Sequence, residues 1–458
     1  MSNPAVRTPP SPLHSSEGGE AGHPSLAREL TLLDATAIVV GTVIGSGIFL
    51  VPSSVAGQLD SLLAVLLVWI VGGALSLFGA LSLAEMGAAF PGAGGLYVYL
   101  RHAFGRTAGF LYGWALLVMI HSGTIATLAV AFSLYVARLV PVGHSEQRLL
   151  SIGSILVLTV VNCLGIRAGK LVQNIFATAK LAGLLAMTGL LLARGPQTGT
   201  LSQSFLPDGP MQPLWIPFGV ALVAVLWAYE GWHVVSFTAA EIRQPARDLP
   251  RSLLLGTVVV IACYLAANTA YYSVLTRPEI QQSDTVAATA MSKVFGPLAG
   301  VFISMLILVS IIGAMNGMVL TGPRVYYAMA EDGLFFRAFA RMSARYRTPV
   351  LAIVVQGVWA CVLTLFGTFQ ELFTYVIFTA WIFYGLAVAG VLVLRRTQPD
   401  LERPFRVPLF PWLPLFFCLA ALGITLSTIA ANPNHAAIGI GLVLTGIPAY
   451  FAFRRQTS

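Results

Sequence analysis

The sequence predicts an all-α membrane protein of twelve transmembrane helices. The first ten form two halves of five, and two additional helices follow. Three observations carry this expectation. Apolar runs of span length recur along the chain, Lys and Arg fall almost wholly on one side of them, and two runs are interrupted at matching places. The runs lie near residues 31–56, 62–90, 107–140, 148–166, 171–193, 214–240, 251–275, 293–331, 349–367, 372–394, 409–431 and 436–453.

The first observation rests on composition. Of 458 residues, 57% are hydrophobic and 10% are charged, whereas a soluble domain carries roughly a quarter charged residues to face water. A bilayer core about 30 Å thick needs about 20 mostly apolar residues per helix, so twelve spans use roughly 240 residues. What remains suffices for loops and one tail. Residues 1–28, rich in Pro, Ser and Gly, read as a disordered cytoplasmic tail rather than a signal peptide. Residues 29–453 read as one transporter domain, with a first repeat over about 31–193, a second over about 214–394 and the extra helices over about 409–453.

The second observation disposes of the net charge of +8. With the N-terminus inside, the inner segments hold 20 Lys or Arg and the outer ones hold 5, with Lys180 within a span. That asymmetry is the positive-inside rule, and it puts both termini in the cytoplasm. The charge is topological, so nucleic acid is not an expected partner; the lipid bilayer is. Cys163, Cys263, Cys361 and Cys418 all fall within spans without metal-ligand spacing and read as small core residues.

The third observation points to function. The first span contains Gly41-Thr42-Val43-Ile44-Gly45-Ser46-Gly47-Ile48-Phe49, and the sixth contains Trp227-Ala228-Tyr229-Glu230-Gly231-Trp232. Unwound backbone at mid-membrane survives only where it lines a cavity. Glycine also serves close helix packing, so the first motif alone says little. Paired with a charge and a glycine at the equivalent place in the second half, it marks a transporter with inverted repeats. The half-helix after a break offers free N–H groups and a positive dipole end to a carboxylate, and the half before it offers carbonyls to an ammonium. An α-amino acid carries both groups on one carbon.

Several ordered blocks add a family resemblance, over about residues 30–453. They are the first-span motif, Pro91-Gly92-Ala93-Gly94-Gly95-Leu96-Tyr97, Gly109-Phe110-x-x-Gly113-Trp114, Val161-Asn162-Cys163, Gln173-Asn174-x-Phe176 with Lys180, Glu241-Ile242-x-x-Pro245-x-Arg247-x-Leu249-Pro250, and Pro399-x-Leu401-Glu402-Arg403-Pro404. With these the chain resembles the L-amino acid transporter branch of the amino acid–polyamine–organocation superfamily, as a bacterial member working in the inner membrane. The resemblance implies a LeuT-like five-plus-five inverted repeat with two additional helices. It also implies alternating access and exchange of one amino acid for another. It assigns the substrate carboxylate to the N–H groups of the Ile44-Gly45-Ser46-Gly47 stretch, centred on Ser46 and Gly47. It assigns the α-ammonium to carbonyls near Val43, Trp227 and Ala228, and an aromatic gate to Trp227, a residue type that also fills bundle interiors routinely. Animal relatives attach to a glycoprotein through a cysteine between the third and fourth helices. Residues 141–147 hold none, so no disulfide-linked heavy subunit is expected.

Two full charges lie near mid-membrane, and each costs roughly 2.5–3.5 kcal/mol at a helix centre, which makes it a functional candidate. The resemblance places Lys180 where sodium-coupled relatives bind a cation, between the first, fifth and eighth helices, so its ammonium would stand in for sodium. Two other readings of Lys180 stay open, a structural tether and a proton carrier. On the eighth helix the sequence offers Asn316 beside it and few hydroxyls. Glu230 stands where members that accept dibasic amino acids carry an acid. It would pair with the side-chain cation of arginine, lysine or ornithine, with neutral amino acids as exchange partners. The competing readings are a protonated carboxyl or pairing with His233 or His121. His121 would line the pocket with Ile120 and Thr124 or serve only in packing.

The function expected is a sodium-independent amino acid antiporter, with a proton-coupled symporter or an amino-acid-binding membrane sensor as alternatives. A channel fits less well, because one aromatic-gated pair of breaks suits an occluding carrier. The sequence shows no phosphate loop, paired carboxylates or metal-spaced cluster, so neither an enzyme nor a cofactor is expected.

Overall fold

The computed structural model describes residues 28–194, 215–283, 285–431 and 433–454. The expected tail, 1–28, therefore lies outside the described residues except for its last position. The rest is a helical bundle whose first element shows how local sequence sets the fold. Thr31 and Asp34 form a reciprocal capping box that opens α1 (Leu32–Val43), which answers two of the orphan N–H groups every helix start carries.

After α1 the chain unwinds over residues 44–46 and resumes as α2 (Gly47–Gln58), bent by 41°. Then come α3 (Leu62–Ala89) and the third span, α4 (Arg106–Ala137), which holds a π-helical turn over Leu116–Ile120. The helices α5 (His144–Cys163) and α6 (Ile166–Arg194) close the first half. The sixth span begins as α7 (Trp215–Ala228), breaks over residues 229–233, and continues as a 3-10 helix, Val234–Glu241. The remaining spans are α8 (Pro245–Val274), α9 (Pro297–Thr321) with α10 (Pro323–Glu331) behind it, α11 (Val350–Leu363), α12 (Phe369–Thr397), α13 (Trp412–Ala431) and α14 (Ala436–Phe453).

Among the described residues, nine helices are long and apolar enough to cross a membrane, and the bent pair α1–α2 brings ten. The shorter apolar helices Pro217–Ala228 and Val350–Leu363 occupy the expected sixth and ninth positions. The chain is thus an all-α multi-pass membrane protein. The eighth span differs most from expectation. Its start is later than the expected 293, because a short helix Val286–Phe295 stops at Gly296 (φ +86°) and the span begins at Pro297; it then runs to Glu331 as expected, through a joint at Pro323 where α9 passes into α10. Proline has no N–H to continue a helix and starts one readily, which explains both joints.

The bundle is apolar outside and selectively polar inside. Val157, Val160, Leu298, Phe302, Met305, Leu419, Leu422 and Leu426 are all more than half exposed, as an acyl-chain environment permits. Lys180, Glu230, His121, His233, Asn162, Gln173, Asn316 and Arg324 are buried. At one end of the bundle Glu85 binds Arg395 through two hydrogen bonds (2.9 and 2.6 Å), and Asp34 holds Lys170 (3.0 Å) and Asn174 (2.7 Å). At the end where α2 finishes, Arg277 bonds Asp60 (2.5 Å) and the Ala56 carbonyl (3.0 Å).

Candidate substrate-binding site

The two breaks meet. A β-carbon added to Gly47 would lie 2.4 Å from the Ala228 α-carbon, so the backbones touch where only glycine fits. Gly231 turns the second break with φ +109°, a conformation that favours glycine, and its carbonyl accepts a hydrogen bond from Thr42 Oγ1 (3.2 Å). Glycine pairs in two distant runs thus make one crossing.

Around the crossing lies a small cavity of about 20 Å³, room for roughly one water. Thr42, Val43, Gly45, Ser46, Gly47, Thr124, Leu128, Trp227, Glu230 and Met318 line it. Of the residues expected at the site, Val43, Gly45, Ser46, Gly47, Thr124, Trp227 and Glu230 face this space. Ile44, Ile120, Ala228 and Lys180 do not line it. Ile120 ends the π-helical turn, and its carbonyl accepts from Thr124 Oγ1 (2.7 Å). Ile44 turns its carbonyl the other way, toward Lys180 (2.7 Å).

The acceptor side of the crossing is better filled than expected. Tyr264 of α8 places its hydroxyl 2.9 Å from both the Val43 and the Ala228 carbonyls, so one group bridges the ends of α1 and α7. A hydroxyl has one proton, so at any instant one carbonyl is served at the other's expense. The Trp227 carbonyl accepts from the Glu230 N–H (3.0 Å). The donor side is open. Ser46 precedes α2 without capping it, and its buried Oγ has no hydrogen-bond partner among the described residues. An unsatisfied buried hydroxyl costs on the order of 1–3 kcal/mol, which a bound acceptor would recover.

Lys180 sits between α1, α6 and α9, where the sequence puts it. Its Nζ donates to the carbonyls of Gly41 (2.7 Å), Ile44 (2.7 Å) and Ser310 (2.8 Å). Ser310 Oγ reaches back to the Ile44 carbonyl (3.0 Å). Asn316 takes no part. It joins Asn162 (2.9 Å), Gln173 (3.1 Å) and the Gly169 carbonyl (3.2 Å), which ties α9 to α5 and α6.

Glu230 faces the cavity, and its carboxyl accepts from the Gly231 backbone N–H as well as from a tyrosine. Tyr384 of α12 donates to Oε1 at 2.5 Å and also stands 3.2 Å from His233 Nε2, while His233 Nδ1 is 4.0 Å from the carboxyl. The expected His233 neighbour is therefore present, with Tyr384 between. His121 lies against Phe237, with ring centroids 5.4 Å apart and the rings tilted by 56°. Trp227 meets Phe373 (5.7 Å) and Phe369 (6.3 Å). Phe373 also lines a larger cleft of about 400 Å³, with Ser54, Gln58, Gln281 and Thr374 among others, so the aromatic cluster stands between that cleft and the small cavity. Below the second break, Arg324 of α10 pairs with Glu241 (3.1 Å), and both are almost wholly buried.

Residues 30–449 match the amino acid permease family. The chain belongs to that family. Its human relative, b(0,+)-type amino acid transporter 1, is 34% identical over 94% of this chain and 88% of its own length. The serine/threonine exchanger SteT of Bacillus subtilis (strain 168) is 32% identical over 97% and 99% of the two chains. Human large neutral amino acids transporter small subunit 2 is 32% identical over 95% and 82%. These relatives place the chain in the L-amino acid transporter branch of the superfamily.

Proposed function

We propose that this chain is a sodium-independent exchanger of L-amino acids working by alternating access. The observation that carries the reading is the buried Ser46 hydroxyl at the start of α2, which has no hydrogen-bond partner among the described residues and shares the cavity lining with Glu230 and Trp227. There the N–H groups of Ser46 and Gly47 take the substrate carboxylate, and the α-ammonium competes with the Tyr264 hydroxyl for the carbonyls of Val43 and Ala228. A cavity of about 20 Å³ admits an amino acid only when its walls part, and Trp227, held by Phe369 and Phe373, is the wall toward the larger cleft.

Lys180 replaces a coupling sodium. Its ammonium fills a cage of three carbonyls, the ligand type a sodium ion would use, and leaves the cycle independent of that ion. Glu230 lines the cavity without a lysine or arginine partner among the described residues, so cationic substrates join neutral ones. One relative, SteT, is named a serine/threonine exchanger, which supports the exchange mode. The two halves are inverted repeats followed by two additional helices. The protein works in a bacterial inner membrane, and the Lys/Arg asymmetry supports placing both termini in the cytoplasm. It needs no disulfide-linked heavy subunit, because the third-to-fourth connection lacks cysteine.

The test is counterflow in proteoliposomes loaded with single amino acids. Wild type takes up labelled arginine against internal serine or alanine, with or without sodium, and Glu230→Gln loses at least tenfold of that arginine uptake. Unchanged arginine uptake in Glu230→Gln removes the substrate role of the carboxylate. Saturable binding without trans-stimulated flux would make the chain a sensor.

A further inference from the structure

Glu230 is a buried carboxyl with no lysine or arginine partner among the described residues, and its one ion-pair neighbour there, His233, stands 4.0 Å away. Each element around it offers a neutral group. The α12 helix contributes the Tyr384 hydroxyl, its own break contributes His233 and the Gly231 N–H, α4 contributes Tyr112, Thr124 and, farther off, His121, α1 contributes Thr42, the first break contributes Ser46, and α9 contributes Met318. The buried cations among the described residues are engaged elsewhere, Lys180 by three carbonyls and Arg324 by Glu241. The adjoining cavity holds about 20 Å³, too little for a hydration shell. An isolated carboxylate in such a place is costly, and a proton or a bound cation removes the cost.

We infer that Glu230 exchanges a proton for the side-chain cation of the substrate, so that this carrier is also a proton antiporter whenever a cationic amino acid is traded for a neutral one. The inference rests on the proposal that cationic substrates bind at Glu230. With a neutral amino acid bound, the carboxyl carries a proton. When arginine or lysine arrives from outside, its guanidinium or ammonium pairs with the carboxylate and the proton leaves to the outside. On the inner side the cationic substrate departs, the carboxylate takes a proton from the inside, and a neutral amino acid binds and moves out. One turn brings one positive charge in with the cationic substrate and carries one proton out with the neutral one. The site is neutral in both crossings, which spares a low-dielectric passage from a net charge.

The experiment uses the full chain in proteoliposomes loaded with serine and an internal pH dye, with labelled arginine outside and the potential set by potassium and valinomycin. The expected result is internal alkalinisation during arginine uptake, one proton per arginine, and an accumulation ratio that changes less than twofold with an inside-negative potential of about 100 mV. Uptake that carries net charge would instead rise roughly fiftyfold per 100 mV. Raising external proton concentration should increase the apparent KM for arginine and leave that for serine unchanged. Glu230→Gln should lose the arginine-driven alkalinisation and Glu230→Asp should restore it. Arginine uptake that follows the potential and moves no proton overturns this inference and leaves the substrate assignment standing. If wild type takes up no arginine while it exchanges serine, the substrate assignment fails and this inference with it.

Discussion

Substituting Gly47 with alanine tests the meeting of the two breaks most sharply. The new methyl would stand 2.4 Å from the Ala228 α-carbon and 2.7 Å from its β-carbon, where ordinary contact is 3.4–4 Å. The near atom is backbone and cannot swing aside, so the helices must part by about 1 Å. Overpacking of this kind costs about 1–3 kcal/mol of stability. A displacement of about 1 Å at a binding constellation costs on the order of a hundredfold in its function. Gly189→Ala provides the control, because nothing lies within 4 Å of its β-position. The assay is thermal unfolding in detergent with the apparent KM from counterflow. Gly47→Ala is expected to unfold at lower temperature and to lose about a hundredfold in kcat/KM, while Gly189→Ala matches wild type. Wild-type affinity and rate in Gly47→Ala would refute the claim that substrate is held where these backbones touch.

Other expectations follow from single contacts. Arg324→Met leaves Glu241 buried without its partner and should cost about 3–5 kcal/mol in thermal stability, most of it regained when Glu241→Met is added; an unaffected single variant would show that the pair is dispensable. Tyr264→Phe removes the hydroxyl shared by the Val43 and Ala228 carbonyls and should lower stability by about 1–3 kcal/mol, read by the same unfolding measurement. Replacing sodium by choline should leave uptake unchanged, and Lys180→Met should stop it. Sodium-dependent uptake by wild type would contradict the role given to Lys180.

What the sequence revealed, it revealed through cost. A lysine in a span is expensive in lipid, so Lys180 draws attention in the sequence, and its ammonium is held by three carbonyls. Glycines and a glutamate at matching depth announce breaks, and residues 44–46 and 229–233 are unwound. Hydroxyls carry no such signal. Most in this bundle bond the carbonyl one turn back on their own helix, as Thr124 does to Ile120, Thr127 to Gly123 and Ser76 to Gly72. Nothing in the residue type marks Tyr264, Ser310 and Tyr384, whose hydroxyls bridge to other elements, and all three were invisible until the helices were packed. The joints at Gly296-Pro297 and Gly322-Pro323 were legible as helix punctuation, yet the apolar run across them reads as one long span. The 3-10 form of the chain after Gly231 depends on its packing under α1 and α9, which a single run does not encode.

The most direct measurement is a cryo-electron microscopy structure of the protein in a lipid nanodisc with arginine bound. The carboxylate oxygens should lie about 3 Å from the Ser46 and Gly47 N–H groups, with the guanidinium toward Glu230. Arginine bound away from both breaks, with α1 continuing unbroken into α2, would contradict the central claim.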